Sequence, residues 1–213
     1  CPLFLDQNNV ALSATNGFNI LSKSCEIIDT VSVGLMQTVK IKKELKIGED
    51  LVIDQTNPTT RFVVEGVLIM EGLTLSGEMG FRMRVQSGSV IVRDCIFEGS
   101  YAGSHRSAST FAAVGDSAVV VQSGAITQFN NCIFTRYTAH HGGAVAVVGK
   151  SSAHFDNCIF SENVEGGAVY VDSGSAARFD GSTFKNNSAA VTGGSGAVAG
   201  GAAVTVYGSA VFN

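Results

Sequence analysis

The chain has 213 residues, 45% of them hydrophobic and 15% charged, with a formal net charge of −4. This length fits one domain, and the mildly acidic balance excludes bulk electrostatic attraction to nucleic acid or anionic lipid. Twenty-five glycines against two prolines predict many tight corners joined by unbroken strands.

Residues 1–38 fit no repeat. They are expected to form an N-terminal cap, with a short helix near Ala11–Leu21, because the end of a stack of strands needs cover. Cys1 and Cys25 fall in this segment, and a disulfide between them is an even choice against two free thiols. The chain shows no basic stretch followed by an apolar run, so no leader is expected within it. No segment is apolar enough to span a bilayer, and no membrane insertion by it is expected.

From Val39 the pattern becomes strand-like. VKIKKELKI (Val39–Ile47) alternates apolar and polar residues, and LVI (Leu51–Ile53), RFVVEG (Arg61–Gly66) and VLIMEGLTL (Val67–Leu75) read as strands of early coils. Four copies of one phrase follow: VRDCIF (Val92–Phe97), FNNCIF (Phe129–Phe134), FDNCIF (Phe155–Phe160) and FDGSTF (Phe179–Phe184). A second phrase is interleaved: GGAVAV (Gly142–Val147), GGAVYV (Gly166–Val171) and GGAAVTV (Gly200–Val206). Units this short bury no core alone, so copies must stack. The central positions Leu73, Cys95, Cys132, Cys158 and Ser182 are separated by 22, 37, 26 and 24 residues. That period suits one turn of a parallel β-helix with three short strands.

Stacking in register predicts inward columns. Phe129, Phe155 and Phe179 form one, and Phe97, Phe134, Phe160 and Phe184 form another. Cys95, Cys132 and Cys158 form a third and read as small buried apolar side chains, with no zinc-knuckle spacing. Asp94, Asp156 and Asp180 are expected to align beside a corner, interrupted by Asn130, as turn-capping residues. Gly-Gly before each AVxV strand, and the Ser-Gly steps near 87, 123 and 173, mark the other corners.

All the length variation falls at one corner. From the closing Phe to the next strand opening the gap is 20 residues after Phe97, 9 after Phe134, 7 after Phe160 and 17 after Phe184. Loops tolerate insertions and stacked strands do not. The long loops, Gly99–Asp116 and Ser188–Gly200, would wall a shallow trough about three coils wide, roughly 14 Å at the normal strand spacing. Tyr101, His105 and Arg106 stand on one wall, and Arg136, Tyr137, His140, His141, Glu162 and Glu165 lie between. This is the expected binding surface. The sequon Asn186-Asn187-Ser188 begins the second long loop, and Asn186 is its acceptor for N-glycosylation in a eukaryotic secretory pathway. No catalytic carboxylate cluster, metal set or cofactor motif is read, and no cofactor is expected.

The alternation of GGA (Gly142–Ala144, Gly166–Ala168, Gly200–Ala202) with FxxN (Phe160–Asn163, Phe184–Asn187) resembles the passenger repeats of the chlamydial polymorphic membrane proteins. Similar repeats occur in algal and protist surface proteins. FxxN fails at Phe97–Ser100 and Phe134–Tyr137. The resemblance covers about Val90 to Asn213 and implies an exported, surface-displayed adhesin built as a right-handed parallel β-helix.

The expected fold is therefore all-β, a single-stranded right-handed parallel β-helix of the pectate-lyase type. Its cap spans 1–38, and about seven coils span 39–213 and continue beyond. The expected function is an extracellular structural and adhesive module. Its partners are expected to be a protein or glycan at a cell surface, or copies of itself in a filament. The alternative is a carbohydrate-active enzyme, a lyase or hydrolase of the β-helix type.

Overall fold

A computed structural model describes residues 17–21, 25–27, 31–33, 38–43, 52–55, 62–77, 82–99, 117–139, 142–189 and 204–213. Every regular element among them is a strand. The first coil holds β1 (Gly17–Leu21), β2 (Cys25–Ile27) and β3 (Val31–Val33). The second holds β4 (Thr38–Lys43), β5 (Val52–Gln55) and β6 (Phe62–Val64). The third holds β7 (Val67–Glu71), β8 (Thr74–Gly77) and β9 (Met83–Val85), and the fourth β10 (Ser89–Arg93), β11 (Ile96–Glu98) and β12 (Val119–Val121). In the fifth are β13 (Ile126–Asn130), β14 (Ile133–Thr135), β15 (Thr138–Ala139) and β16 (Val145–Val147). The sixth repeats this with β17 (Ser152–Asp156), β18 (Ile159–Ser161), β19 (Val164–Glu165) and β20 (Val169–Val171). The seventh has β21 (Ala176–Asp180), β22 (Thr183–Lys185) and β23 (Val204–Val206), and β24 (Ser209–Phe212) begins an eighth.

Corresponding strands of successive coils pair in parallel and make three long sheets. Sheet A runs β1-β4-β7-β10-β13-β17-β21-β24, sheet B runs β2-β5-β8-β11-β14-β18-β22, and sheet C runs from β3 to β23 in coil order. A fourth, two-stranded sheet joins β15 to β19. This is a parallel β-helix of seven described coils, with an eighth begun.

The cap expectation is corrected where the segment is described. β1, β2 and β3 pair in register with β4, β5 and β6, so residues 17–33 are a coil of the helix. Residues 17–21, expected at the end of a short helix, are a strand. Strands of three to five residues carry too little periodicity to be told from other local structure, and here stacking on the next coil decides their conformation.

The interior follows the phrase FxxCxF. Phe129, Phe155 and Phe179 are successive neighbours across sheet A, and Phe97, Phe134, Phe160 and Phe184 across sheet B. Their rings stack at 5.2 and 5.0 Å in the first column and at 4.5, 4.9 and 4.8 Å in the second. The two columns meet edge to face, as at Phe155 and Phe160, whose ring planes cross at 75°. Offset stacking within a column and T-shaped contact between columns both suit the ring quadrupole. Cys95, Cys132 and Cys158 fill the gap beside them as buried free thiols. Cys132 donates to the Val92 carbonyl at 3.6 Å and Cys158 to the Phe129 carbonyl at 3.4 Å, each in the preceding coil. Where the column ends, Ser182 makes the same bond to Phe155 at 3.1 Å.

The corner between sheets A and B is one left-handed residue: Gly72, Asp94, Asn131, Asn157 or Gly181. Gly, Asn and Asp are the residues that accept this conformation at least cost. Asp94 therefore belongs to the corner column, where Asn131 donates to its Oδ1 at 3.1 Å. The strand-end column is Arg93, Asn130, Asp156 and Asp180. The expected alignment of Asp94 with Asp156 and Asp180 is out by one residue, and the αL tolerance of Asp is the reason.

Candidate functional site

The variable corner leaves sheet B after Thr135, Ser161 and Lys185. The next residues, Arg136, Glu162 and Asn186, are all left-handed, with φ of 61°, 57° and 51°. Backbone bonds tie the steps together: Gly99 to Thr135 at 2.8 Å, Arg136 to Ser161 at 3.2 Å and Glu162 to Lys185 at 3.0 Å, each amide donating to the next coil's carbonyl. A Cβ on Gly99 would lie 2.4 Å from the Arg136 carbonyl oxygen, so only glycine fits this approach.

One residue further on the chain turns inward. Tyr137 and Asn163 are buried. Asn163 Oδ1 accepts the Tyr137 amide at 3.1 Å, and Asn163 Nδ2 donates to the Phe134 carbonyl at 3.1 Å and to Asn187 Oδ1 at 2.9 Å. Asn187 Oδ1 also accepts the Asn163 amide at 3.0 Å, and its Nδ2 donates to the Phe160 carbonyl at 2.9 Å. These side chains pair the Tyr137 and Asn163 amides that the turn withdraws from the sheets, and add a second donor to the Phe134 and Phe160 carbonyls of sheet B. β15 and β19 follow Tyr137 and Asn163 in the chain and pair with each other as the fourth sheet. Glu165, the last residue of β19, is again left-handed at 68°, and a bridge joins Gly166 to Ala189. In the fifth and sixth coils the corner is thus a two-stranded floor, set between the coils that carry the long insertions.

A family model described as the right-handed β-helix region matches residues 52–213, well over half of the chain. The chain belongs to the right-handed β-helix family. No curated protein and no solved structure matches it.

The β-helix places the expected site residues in three ways. Glu162 and Glu165 are exposed at the floor. Arg136 lies beside them, half-exposed, in an ion pair with Glu98 of the preceding coil. Tyr137 is corrected: it is 2% exposed and belongs to the core. Its position is the one that Asn163 and Asn187 occupy in the next coils, which points inward. Tyr101, His105, Arg106, His140 and His141 lie outside the described residues, as do Cys1 and the side chain of Cys25. Asn186 is exposed at the corner, while its neighbour Asn187 is committed to the ladder.

The sequence reading passed over two clusters. The asparagine ladder was signalled by FxxN, whose Asn always follows one left-handed residue. The other cluster lies on the outer face of sheet A. Asp180 accepts from His154 Nε2 and Arg178 Nε, both at 2.6 Å, and from Asn213 Nδ2 at 2.6 Å. The Arg178 guanidinium and the Asn213 amide hold the Asp180 carboxyl well below the usual carboxylate range. Asp180 is therefore an ionised acceptor and not a proton donor, although Asp156 sits next to it in register. Burial pushes the Cys95 thiol up to about 12, and the Cys158 sulfur together with burial raises the Cys132 thiol as well. A thiol kept protonated is neither nucleophile nor metal ligand. Among the described residues no three His, Cys, Asp or Glu side chains converge as a metal set.

Proposed function

We propose that the protein is an extracellular structural and adhesive module, a rigid β-helix that presents one corner to a protein or glycan on a cell surface. One observation carries this reading. At the corner between sheets A and B every left-handed residue is Gly, Asn or Asp, whereas at the variable corner Arg136, Glu162 and Glu165 hold that conformation. A left-handed residue with a long side chain costs about 1–2 kcal/mol. Strain of this kind clusters at binding sites, where it presents a side chain in a fixed direction. Here it sets charged groups on a floor backed by stacked phenylalanines, so recognition loses little entropy on binding. The resemblance to surface-displayed passenger repeats supports the same setting. A carbohydrate-active enzyme is the alternative.

Two assays test the reading. The purified chain, fluorescently labelled, is expected to bind cultured cells saturably, and to lose that binding when the cells are treated with protease or glycosidase. The same preparation is expected to release no product from pectin, alginate or neutral glucans. Turnover of any of these, or non-saturable binding, sinks the adhesive reading.

A further inference from the structure

The outer face of sheet C carries two tyrosines and a carboxylate at the corners of one square. Tyr170 alternates with the buried Val169 and Val171 of β20, so its side chain points outward. Thr205 of β23 is its register partner, and Val206 is the partner of Val171. The next residues, Asp172 and Tyr207, form the other side of the square. The Tyr207 amide donates to the Val171 carbonyl at 2.8 Å, as the Asp172 amide does to the Val147 carbonyl one coil earlier at 3.0 Å. Tyr170 and Tyr207 lie on one diagonal, and their rings meet with centroids 5.9 Å apart and planes crossed at 57°. Asp172 and Thr205 occupy the other diagonal.

Neighbouring groups hold the square in place. Gly142 of the variable corner lies against β20, where an added Cβ would stand 3.0 Å from the Tyr170 Cβ. Val120 and Ala146, in the same outward column, are buried, and at Tyr170 the column opens to solvent. Asp172 Oδ1 accepts from Ser175 Oγ at 2.6 Å, and Oδ2 accepts from the Gly149 amide at 3.0 Å. Both donors are neutral, so the carboxylate keeps its charge. Burial, with Asp172 and Tyr207 beside it, pushes the Tyr170 phenol up and keeps that ring neutral. These side chains leave the solenoid sideways, so the site needs no end to the stack.

Two angled ring faces beside a fixed carboxylate are the chemistry of a cation site. The geometry also selects among cations. A primary ammonium brings three N–H donors that need acceptors and is strongly hydrated, and here each Asp172 oxygen already accepts a bond. A quaternary ammonium has no N–H, and its methyl groups pack on the rings. We propose that Tyr170, Tyr207 and Asp172 bind a quaternary ammonium group of the choline class. The site stands on the outer face of sheet C and does not rest on the corner reading.

Titration of choline chloride against the 213-residue chain, read by NMR, tests it. The expected result is a saturable upfield shift of the N-methyl protons, as ring currents produce over aromatic faces, with a dissociation constant on the order of 1 mM. Tyr207→Ala should weaken binding about tenfold and Tyr207→Phe less than about twofold, because the ring face and not the hydroxyl is used. Asp172→Asn should weaken it by a similar factor, through lost charge. Co-sedimentation with phosphatidylcholine vesicles would assign the group to a lipid headgroup, and choline binding without it to a soluble ligand. Equal affinity for ethanolamine overturns the proposal. So does binding unmoved by Tyr207→Ala, and so does a titration with no saturation by about 50 mM choline.

Discussion

Asn163 and Asn187 share a hydrogen bond of 2.9 Å inside the solenoid, and through it two coils exchange the polar groups that their corner exposes. Asn163 is fully buried, and its Oδ1 is the acceptor of the Tyr137 amide. Replacing it with alanine strands that amide. Leaving a buried group unpaired costs about 1–3 kcal/mol. Asn163→Ala is therefore expected to lower the free energy of urea unfolding by at least that amount. Asn186→Ala, at the exposed neighbouring position of the next coil, should cost less than 1 kcal/mol, about the worth of an αL-tolerant residue.

The phenylalanine columns predict a gradient. Phe155 is enclosed by ring contacts with Phe129, Phe134, Phe160 and Phe179. Phe155→Ala should cost about 3–5 kcal/mol, the range for a large buried aromatic residue. Phe212→Ala, at a residue 57% exposed in this 213-residue chain, should cost much less. Equal losses at the two positions would contradict the stack.

Glu162 stands in a left-handed conformation that Asn186 adopts one coil later. Glu162→Asn is expected to raise stability by about 0.5–1 kcal/mol, since asparagine accepts this conformation with less strain. The gain should appear as a higher melting temperature. A loss would mean that the Glu162 side chain contributes more to folding than to presentation.

Asp180 gives a pH dependence with a defined sign. Its folded-state carboxyl titrates below the unfolded value of about 3.9. The stability it contributes is fully present above that pH and is lost as pH falls through the folded pKa. Wild type should therefore exceed Asp180→Asn in stability at pH 6, with the difference shrinking below about pH 4. Because the carboxylate is solvent-facing, added salt should shrink it too. A difference that does not change between pH 6 and pH 2 would contradict the Arg178 and Asn213 contacts.

The buried thiols predict selective silence. Cys95, Cys132 and Cys158 should resist alkylation in the folded protein at pH 8 and react once it is denatured, as read by peptide mass spectrometry. Cys158→Ser should be tolerated within about 1.5 kcal/mol, the usual worth of one hydrogen bond. Ser182 already fills the equivalent place one coil later and makes the equivalent bond.

The coil register was legible because FNNCIF, FDNCIF and FDGSTF repeat their apolar positions at one spacing. Three such copies leave a single way to align phenylalanine on phenylalanine. The first coil was not legible: β2 and β3 are three residues each, and their place in sheets B and C depends on neighbours far along the chain. Tyr137 misled because it carries a polar tip at a position where later coils hold Asn. The inward direction of that position is set by the left-handed Arg136 before it, which no local propensity reveals. Arg178 shares β21 with Asp180, but Asn213 lies 33 residues beyond Asp180, and only the stacking of β24 on β21 brings it to that carboxylate.

The central claim is that recognition resides in the charged corner and stiffness in the stack behind it. The most direct measurement compares cell binding and melting temperature for wild type and the triple variant Arg136→Asn, Glu162→Asn, Glu165→Asn. The account predicts binding at least tenfold weaker and a melting temperature equal or higher. Unchanged binding by a folded triple variant would contradict it.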